Sequence, residues 1–380
     1  MAGSHLPPLF SERVNVVIFY DFEVFKEDWL AVFIDVTKKK EYVIINNPDE
    51  LKALYEANSK DIWVGYNNRH YDQYIFKGIL LGMNPKRIND WIIVEKREGW
   101  QFSSAFNKVP MINYDVMPNP PVGLKTLEGF LGSNIKETDV DFRINRKLTK
   151  EEIEMTVFYC RHDVEETIKV FLEKIDEFNA MHGIIQAFPD IVNLSDIGDS
   201  EARITAKVLG CSRRSFEDEF DFYFLPCLQL KKYKYVQDWF EQKRQEALSM
   251  DLAHMDKYSK RTWYKEQGLE TVVAGIPHSF GFGGVHGATA TPIHKTGQLL
   301  HVDVNNYYPS MLIAWGLVTR AATNDNYPLV YNTRKAMKEK QIAAKNAGNK
   351  KEVKRWKKAQ LPYKKMLNAL SGAMKDETNA

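Results

Sequence analysis

Two carboxylates one residue apart, Asp21 and Glu23, follow an apolar run from Val14 to Phe19. That run is mostly β-branched and aromatic, without Gly or Pro, and predicts a buried strand. Residues two apart on a strand share a side, so the pair puts two like charges on one face at the strand's end. Such charges repel unless a cation lies between them or one takes up a proton. Hard oxygen donors without a thiolate suit Mg²⁺ or Mn²⁺. Alone, Asp-x-Glu also reads as a solvated strand end, so the case turns on carboxylates further along.

Asp72 is the next. It enters a helix whose apolar residues Tyr71, Tyr74, Ile75, Ile79 and Leu80 keep helical spacing, just after a short strand from Asp61 to Gly65. Sites in α/β sheets gather at strand ends. The alternative for Asp72 is an N-terminal acid complementing the helix dipole. Asn68 stands four residues before it. Lys125, in the short helix VGLKTLEGFLG, reads equally as a solvated lysine or a phosphate contact. Tyr159 and Asp163 are four apart on a long helix, Lys150 to Phe178, opened by a capping box of Thr149 and Glu152. The alternative leaves Asp163 in solvent with Glu165 and Glu166.

These residues need a scaffold. Strand-like runs from Leu30 to Val36 and Glu41 to Ile45, joined at Lys38 to Lys40, follow the first strand. A helix from Pro48 to Asn58 then precedes the Asp61 strand. This order predicts an α/β layer with a mixed sheet. Residues 86–122, with Pro110, Pro118, Pro120 and Pro121, read as irregular. Helical pieces at Ser200 to Leu209, Val236 to Ser249 and Leu252 to Gln267 predict a structural connector. Tyr223, Phe224, Tyr233 and Tyr235 read there as core.

The 380 residues suffice for two or three domains. A net charge of +2 conceals an asymmetry: Arg334 to Lys365 holds thirteen Lys and Arg against two Glu. A basic block in a near-neutral chain predicts a local polyanion-binding element. Cys160, Cys211 and Cys227 lack metal-binding spacing and fit a reducing, cytoplasmic compartment. No apolar run reaches membrane-spanning length, and no signal peptide is recognisable.

Taken together and in order, YDFEVF, NNRHYD and YCRHD resemble the motifs of the DEDDy 3′–5′ proofreading exonuclease domain of DNA polymerases. The resemblance implies an RNase H-like domain over residues 11–178. It assigns metal binding to Asp21, Glu23, Asp72 and Asp163, with two Mg²⁺ or Mn²⁺ ions. Tyr159 would orient the attacking water, Asn68 would position the DNA strand, and Lys125 would touch a phosphate. Two ions roughly 3.5–4 Å apart serve phosphodiester hydrolysis by activating water and stabilising the leaving oxygen.

The second half extends the resemblance to family B DNA polymerases of viral or phage type. SFGFGGVHGA, from Ser279 to Ala288, is similar to their template-touching Gly-Gly segment, with Gly283 and Gly284 as DNA contacts and Gly281 in the usual Tyr position. The alternative is a plain interdomain loop. A strand from Leu299 to Val304 leads into DVNNYYPSMLI, which resembles motif A. Asp303 would hold catalytic ions, and Tyr308 would exclude a 2′-hydroxyl. A helix from Asn332 to Lys345 and KKMLNALSG resemble the fingers and motif B. They assign dNTP contacts to Arg334, Lys338, Lys364 and Asn368, although Ala369 and Ser371 replace the usual Ser and Tyr. Lys350 to Lys358 reads as a solvated face.

The domains implied are an exonuclease (11–178), a connecting region (179–290), a partial palm (291–328) and two-helix fingers (329–380). The interval between Asp303 and Lys364 is too short for the insertion of protein-primed relatives, so a nucleic-acid primer is expected. The chain ends before the palm's Asp-Thr-Asp and the thumb. It is therefore expected to be a truncated form, or half of a split polymerase completed by a second polypeptide. Its expected partners are single-stranded 3′ ends and primer–template DNA, with dNTPs in the full enzyme. The expected activity is the exonuclease without synthesis; the non-enzymatic alternative is a DNA-binding remnant.

Overall fold

The computed structural model describes residues 16–118, 120–133, 140–211, 224, 226–282, 284–292, 294, 296–298, 300, 306–316, 318 and 325–373. Asp303, Gly283 and Tyr223 lie outside this set, as does most of the strand expected at Leu299 to Val304. The chain divides into two compact units, Met1–Cys211 with Leu312–Ala373, and Ser212–Met311 with Met374–Ala380. The last helices of the chain thus group with the N-terminal region.

The first unit is mixed α/β. Its sheet contains β1 (Val17–Val24), β2 (Trp29–Asp35), β3 (Lys40–Ile45), β4 (Ile62–Gly65) and β5 (Ile112–Asp115). The order is β3-β2-β1-β4-β5. β1 pairs antiparallel with β2 and parallel with β4, so β2 alone runs against the other four. Helices α1 (Pro48–Ala57), α2 (Asp72–Leu80) and α3 (Pro85–Asn89) join the strands, followed by single-turn pieces up to Lys108. α1 starts where its sequence requires: Asn47 accepts from the Glu50 amide and Pro48 occupies the first turn.

Alternation along β1 sends Ile18, Tyr20, Phe22 and Val24 into the main core, with Phe33, Trp63, Phe76 and Leu51. Phe76 sits among Tyr20, Phe33 and Trp63 rings at 5.2–5.8 Å. A fully buried side chain of this size stabilises by about 1.5–3 kcal/mol. The opposite side chains of β1, among them Phe19, Asp21 and Glu23, face a second layer. Its main element is α5 (Lys150–Glu173), preceded by α4 (Leu124–Leu131) and followed by α6 (Ile175–Ala187) and α7 (Glu201–Val208). Phe19 meets Phe171 edge-on at 5.2 Å. The two Arg161 bonds to Glu41, at 2.8 and 2.6 Å, tie α5 to β3.

The Thr149–Glu152 capping box forms as the sequence predicts. The expected single helix to Phe178 breaks at Lys174, which lets Phe178 turn back onto Phe171 and Tyr114 at 5.0 and 5.1 Å. The stretch read as irregular contains β5, an edge strand whose pairing with β4 the sequence does not announce. Asp21 and Glu23 lie within β1, not at its end, because pairing with β2 continues to Val24 and Trp29.

At the C-terminal end, α11 (Asn326–Asn346), α12 (Lys350–Ala359) and α13 (Leu361–Ala373) belong to this unit; α10 is Tyr307–Ala314. Tyr363, Met366 and Leu367 of α13 are buried, and Lys365 pairs with Glu201 of α7 at 3.0 Å. Among the described residues, no helix is long and apolar enough to cross a membrane.

The second unit contains α8 (Lys234–Ser249), α9 (Lys257–Glu266) and an antiparallel sheet, β6 (Leu269–Val273), β7 (Ile276–Gly281) and β8 (Gly284–Gly287), in that order. Ala247, Leu252 and Trp263 form its core against Phe282. Within it Tyr235, expected in the core, is 41 % exposed. The glycine-rich segment is therefore a hairpin. Gly284 takes φ +138°, open to glycine, and a Cβ on Gly287 would meet the His278 ring at 2.4 Å.

Candidate metal centre

The sheet opens where its strands stop pairing. β1 and β4 pair only as far as Phe19 and Val64, while β1 runs on to Val24. Past that point the Phe22 amide lacks a strand partner on that side and donates to Asp72 Oδ1 at 3.2 Å. The opening lies between β1 and β4, past the end of their parallel pairing, where α/β sheets form crevices.

A cleft of about 320 Å³ lies there. Asp21, Glu23, Asp72 and Asp163 all line it, from β1, α2 and α5. The four carboxylates predicted from separate motifs therefore meet. Asp72 is 3 % exposed. Asp21, Glu23 and Cys160 offer donor atoms within 4.8 Å of one another.

The electrostatics are those of crowded carboxylates in a poorly solvated place. Burial, then repulsion from Asp163, pushes Asp21 up to about 7. Burial and the neighbouring carboxylates hold Glu23 and Asp72 well above the usual carboxylate range. Asp163 is raised by burial, against the pull of Lys125. Four acids so placed disfavour their own charge, and a divalent cation relieves that cost. The four carboxylates are hard oxygen donors that fit an ion such as Mg²⁺ or Mn²⁺.

Lys125 already supplies one positive charge. Its ammonium donates to Asp163 Oδ1 at 2.5 Å and to Glu128 Oε1 at 3.1 Å. Burial works against this ammonium, but the two carboxylates raise its pKa overall. Lys125 is thus neither merely solvated nor free to serve a phosphate alone; it bridges α4 and α5 at the rim of the acidic group.

Two expected site residues are placed differently. Asn68 is fully buried and donates to Asn113 Oδ1 at 2.9 Å and the Tyr114 carbonyl at 3.3 Å. A Cβ on Gly65 would fall 2.7 Å from it. Asn68 therefore locks the loop after β4, and its neighbour Asn67, at φ +57°, lines the cleft. Tyr159 is half-buried one turn before Asp163 and packs edge-on against Phe158 at 5.4 Å. It is not part of the cleft lining.

Sequence reasoning passed over Cys160. Its buried thiol donates to the Asp21 carbonyl and Oδ2, both at 3.5 Å, and burial with Asp21 and Glu23 nearby pushes it well above its ordinary range. Ile92, Ile93, Tyr66, His70 and Tyr71, also unflagged as ligand contacts, complete the cleft.

Of the expected nucleotide contacts, Arg334 and Lys338 are half-buried on α11, with Lys338 donating to Gln341 at 3.3 Å. Lys364 and Asn368 are exposed together on α13, opposite buried Met366 and Leu367. Tyr308 is 63 % exposed beside Tyr307, in the other unit. Gly284 is exposed in the β7–β8 hairpin. A scan against protein-family models finds no match for the chain, and a search of curated proteins finds none either.

Proposed function

We propose that the cleft hydrolyses the 3′-terminal phosphodiester of single-stranded DNA, using two Mg²⁺ or Mn²⁺ ions. The chain on this reading is related to family B-type DNA polymerases of viral or phage kind. The observation that carries the reading is the meeting of Asp21, Glu23, Asp72 and Asp163, from three sequence-distant motifs, in one cleft. The order β3-β2-β1-β4-β5 with β2 alone reversed supports an RNase H-like assignment.

Asp21, Glu23, Asp72 and Asp163 would hold the ions, which supply water activation and stabilisation of the leaving oxygen. The chain's own groups do the rest. The Phe22 amide fixes Asp72, and Cys160 fixes the Asp21 carboxylate. Lys125 keeps a positive charge beside Asp163, where a scissile phosphate needs one. Ile92 and Ile93 give the cleft an apolar side against which a terminal base can lie, and His70 and Asn67 offer polar atoms at its rim. Polymerase-type roles for Asp303, Tyr308, Arg334, Lys338, Lys364 and Asn368 belong to the same proposal.

Product analysis tests this. Single-stranded DNA incubated with Mg²⁺ and the protein is expected to release nucleoside 5′-monophosphates one at a time. Release of oligonucleotides only, or of nothing with either Mg²⁺ or Mn²⁺, would count against the reading.

A further inference from the structure

Next to Asp163 stand two side chains, Glu128 and His162, that the exonuclease reading leaves unused. Glu128 of α4 is fully buried. One of its oxygens, Oε1, takes the Lys125 ammonium at 3.1 Å, while Oε2 is buried with no hydrogen-bond partner among the described residues. His162 of α5 is 8 % exposed, and its buried Nε2 likewise has no hydrogen-bond partner among the described residues. These two orphaned atoms face each other at 3.7 Å. One donor atom from each of Glu128, His162 and Asp163 lies within 4.8 Å of the other two.

Polar atoms so buried are almost always satisfied by protein, water or an ion. Two carboxylates, Glu128 and Asp163, share one ammonium, and the His162 imidazole sits against Glu128. The donors are one imidazole nitrogen and two carboxylate oxygens, arriving from two helices packed on each other. A zinc-class ion with bonds of about 2.0–2.2 Å sets tetrahedral ligands about 3.4 Å apart. The 3.7 Å gap between Glu128 Oε2 and His162 Nε2 needs to close by only a few tenths of an ångström.

We propose that Glu128, His162 and Asp163 form a second binding site, sharing Asp163 with the first, for a divalent transition ion of the zinc class, bridging α4 and α5. The imidazole nitrogen selects such an ion over Mg²⁺. Because Asp163 belongs to both groups, the site would brace that carboxylate. The site itself rests on Glu128 and His162, not on the nuclease reading.

The test uses the whole chain carrying Asp21→Asn and Asp72→Asn, which disables the first site and leaves Glu128, His162 and Asp163 intact. The stripped protein is titrated with Zn²⁺, and with Co²⁺ read by its visible absorption. One equivalent is expected to bind and to resist a large excess of Mg²⁺. Glu128→Gln, which keeps the side chain's shape, and His162→Gln are each expected to weaken it by at least about tenfold. Mn²⁺ spin-echo spectroscopy adds a readout that needs no change at His162: the bound ion should show coupling to an imidazole nitrogen. The proposal is overturned if the double variant binds no equivalent, if the bound ion shows no nitrogen coupling, or if neither Gln variant alters affinity. In those cases a proton or a water satisfies the Glu128–His162 pair. Exonuclease activity of the unaltered chain, assayed separately, is unaffected by such a failure.

Discussion

Replacing Asp21 by Asn keeps the side chain's size and removes its charge, which makes it a direct probe of how costly the acidic cleft is to the fold. The Asp21 carboxyl is held at about 7 against an ordinary value of 3.8. The sign follows from linkage. Between those two values the folded protein holds a proton that the unfolded chain has lost, so stability falls as pH rises through this window and levels off above about 7. At about 1.4 kcal/mol per pH unit the full cost is about 4 kcal/mol. Asp21 keeps a partial opening onto the cleft, and solvent there reduces the cost to about 2–3 kcal/mol. In EDTA, Asp21→Asn should therefore be more stable than the parent by about that amount at pH 8, and nearly equal to it at pH 4. For a unit of this size about 2–4 °C of melting temperature accompanies each kcal/mol. Thermal melts across pH, followed by far-UV circular dichroism, read the difference. Adding Mg²⁺ should raise the parent's melting temperature and the variant's much less, because ligand binding to the folded state is what offsets the repulsion. A variant less stable than the parent at pH 8 in EDTA, or a difference that does not change with pH, would refute the reasoning.

Other perturbations follow from the same geometry. Lys125→Met leaves Glu128 buried without its ammonium and removes the Asp163 partner; since Lys125 is partly exposed, a loss of about 1–3 kcal/mol is expected in denaturant titration, with a fall in any nuclease rate. Thr149→Ala breaks the capping box of α5 and should cost about 1 kcal/mol without altering metal affinity, as calorimetry can check. Lys350, Lys351, Lys354, Arg355, Lys357 and Lys358 lie on α12 with Glu352 as the helix's one acid; if this helix is a solvated face, as its sequence reads, reversing Lys354 and Lys358 to Glu leaves the affinity for single-stranded DNA unchanged in fluorescence anisotropy, whereas a weaker affinity with a flatter salt dependence would make it part of a polyanion-binding element.

The legibility of this chain varies by the range of the forces involved. β1 to β4 and α2 were readable because burial on one or both faces imposes local periodicity. The capping box at Thr149 was readable because its chemistry spans four residues. The four carboxylates were individually ambiguous and became informative only as an ordered set. β5 was not readable: INYD is short, half-buried and bracketed by prolines, and its pairing with β4 depends on residues 50 positions away. The break at Lys174 carries no Gly or Pro and follows from aromatic packing against Tyr114. The resemblance assigned Asn68 to the DNA strand, whereas tertiary packing buries it against Asn113. Glu128, His162 and Cys160 gave no signal, since a charged residue on a helix reads as solvated until its neighbours bury it.

The measurement that tests the central claim most directly is a time course on 5′-labelled single-stranded DNA with Mg²⁺, comparing the parent with Asp21→Asn/Asp163→Asn. The account predicts a ladder that shortens one nucleotide at a time from the 3′ end, lost on adding EDTA and absent in the double variant. An intact substrate with the parent, or a ladder that persists in the double variant, would contradict it.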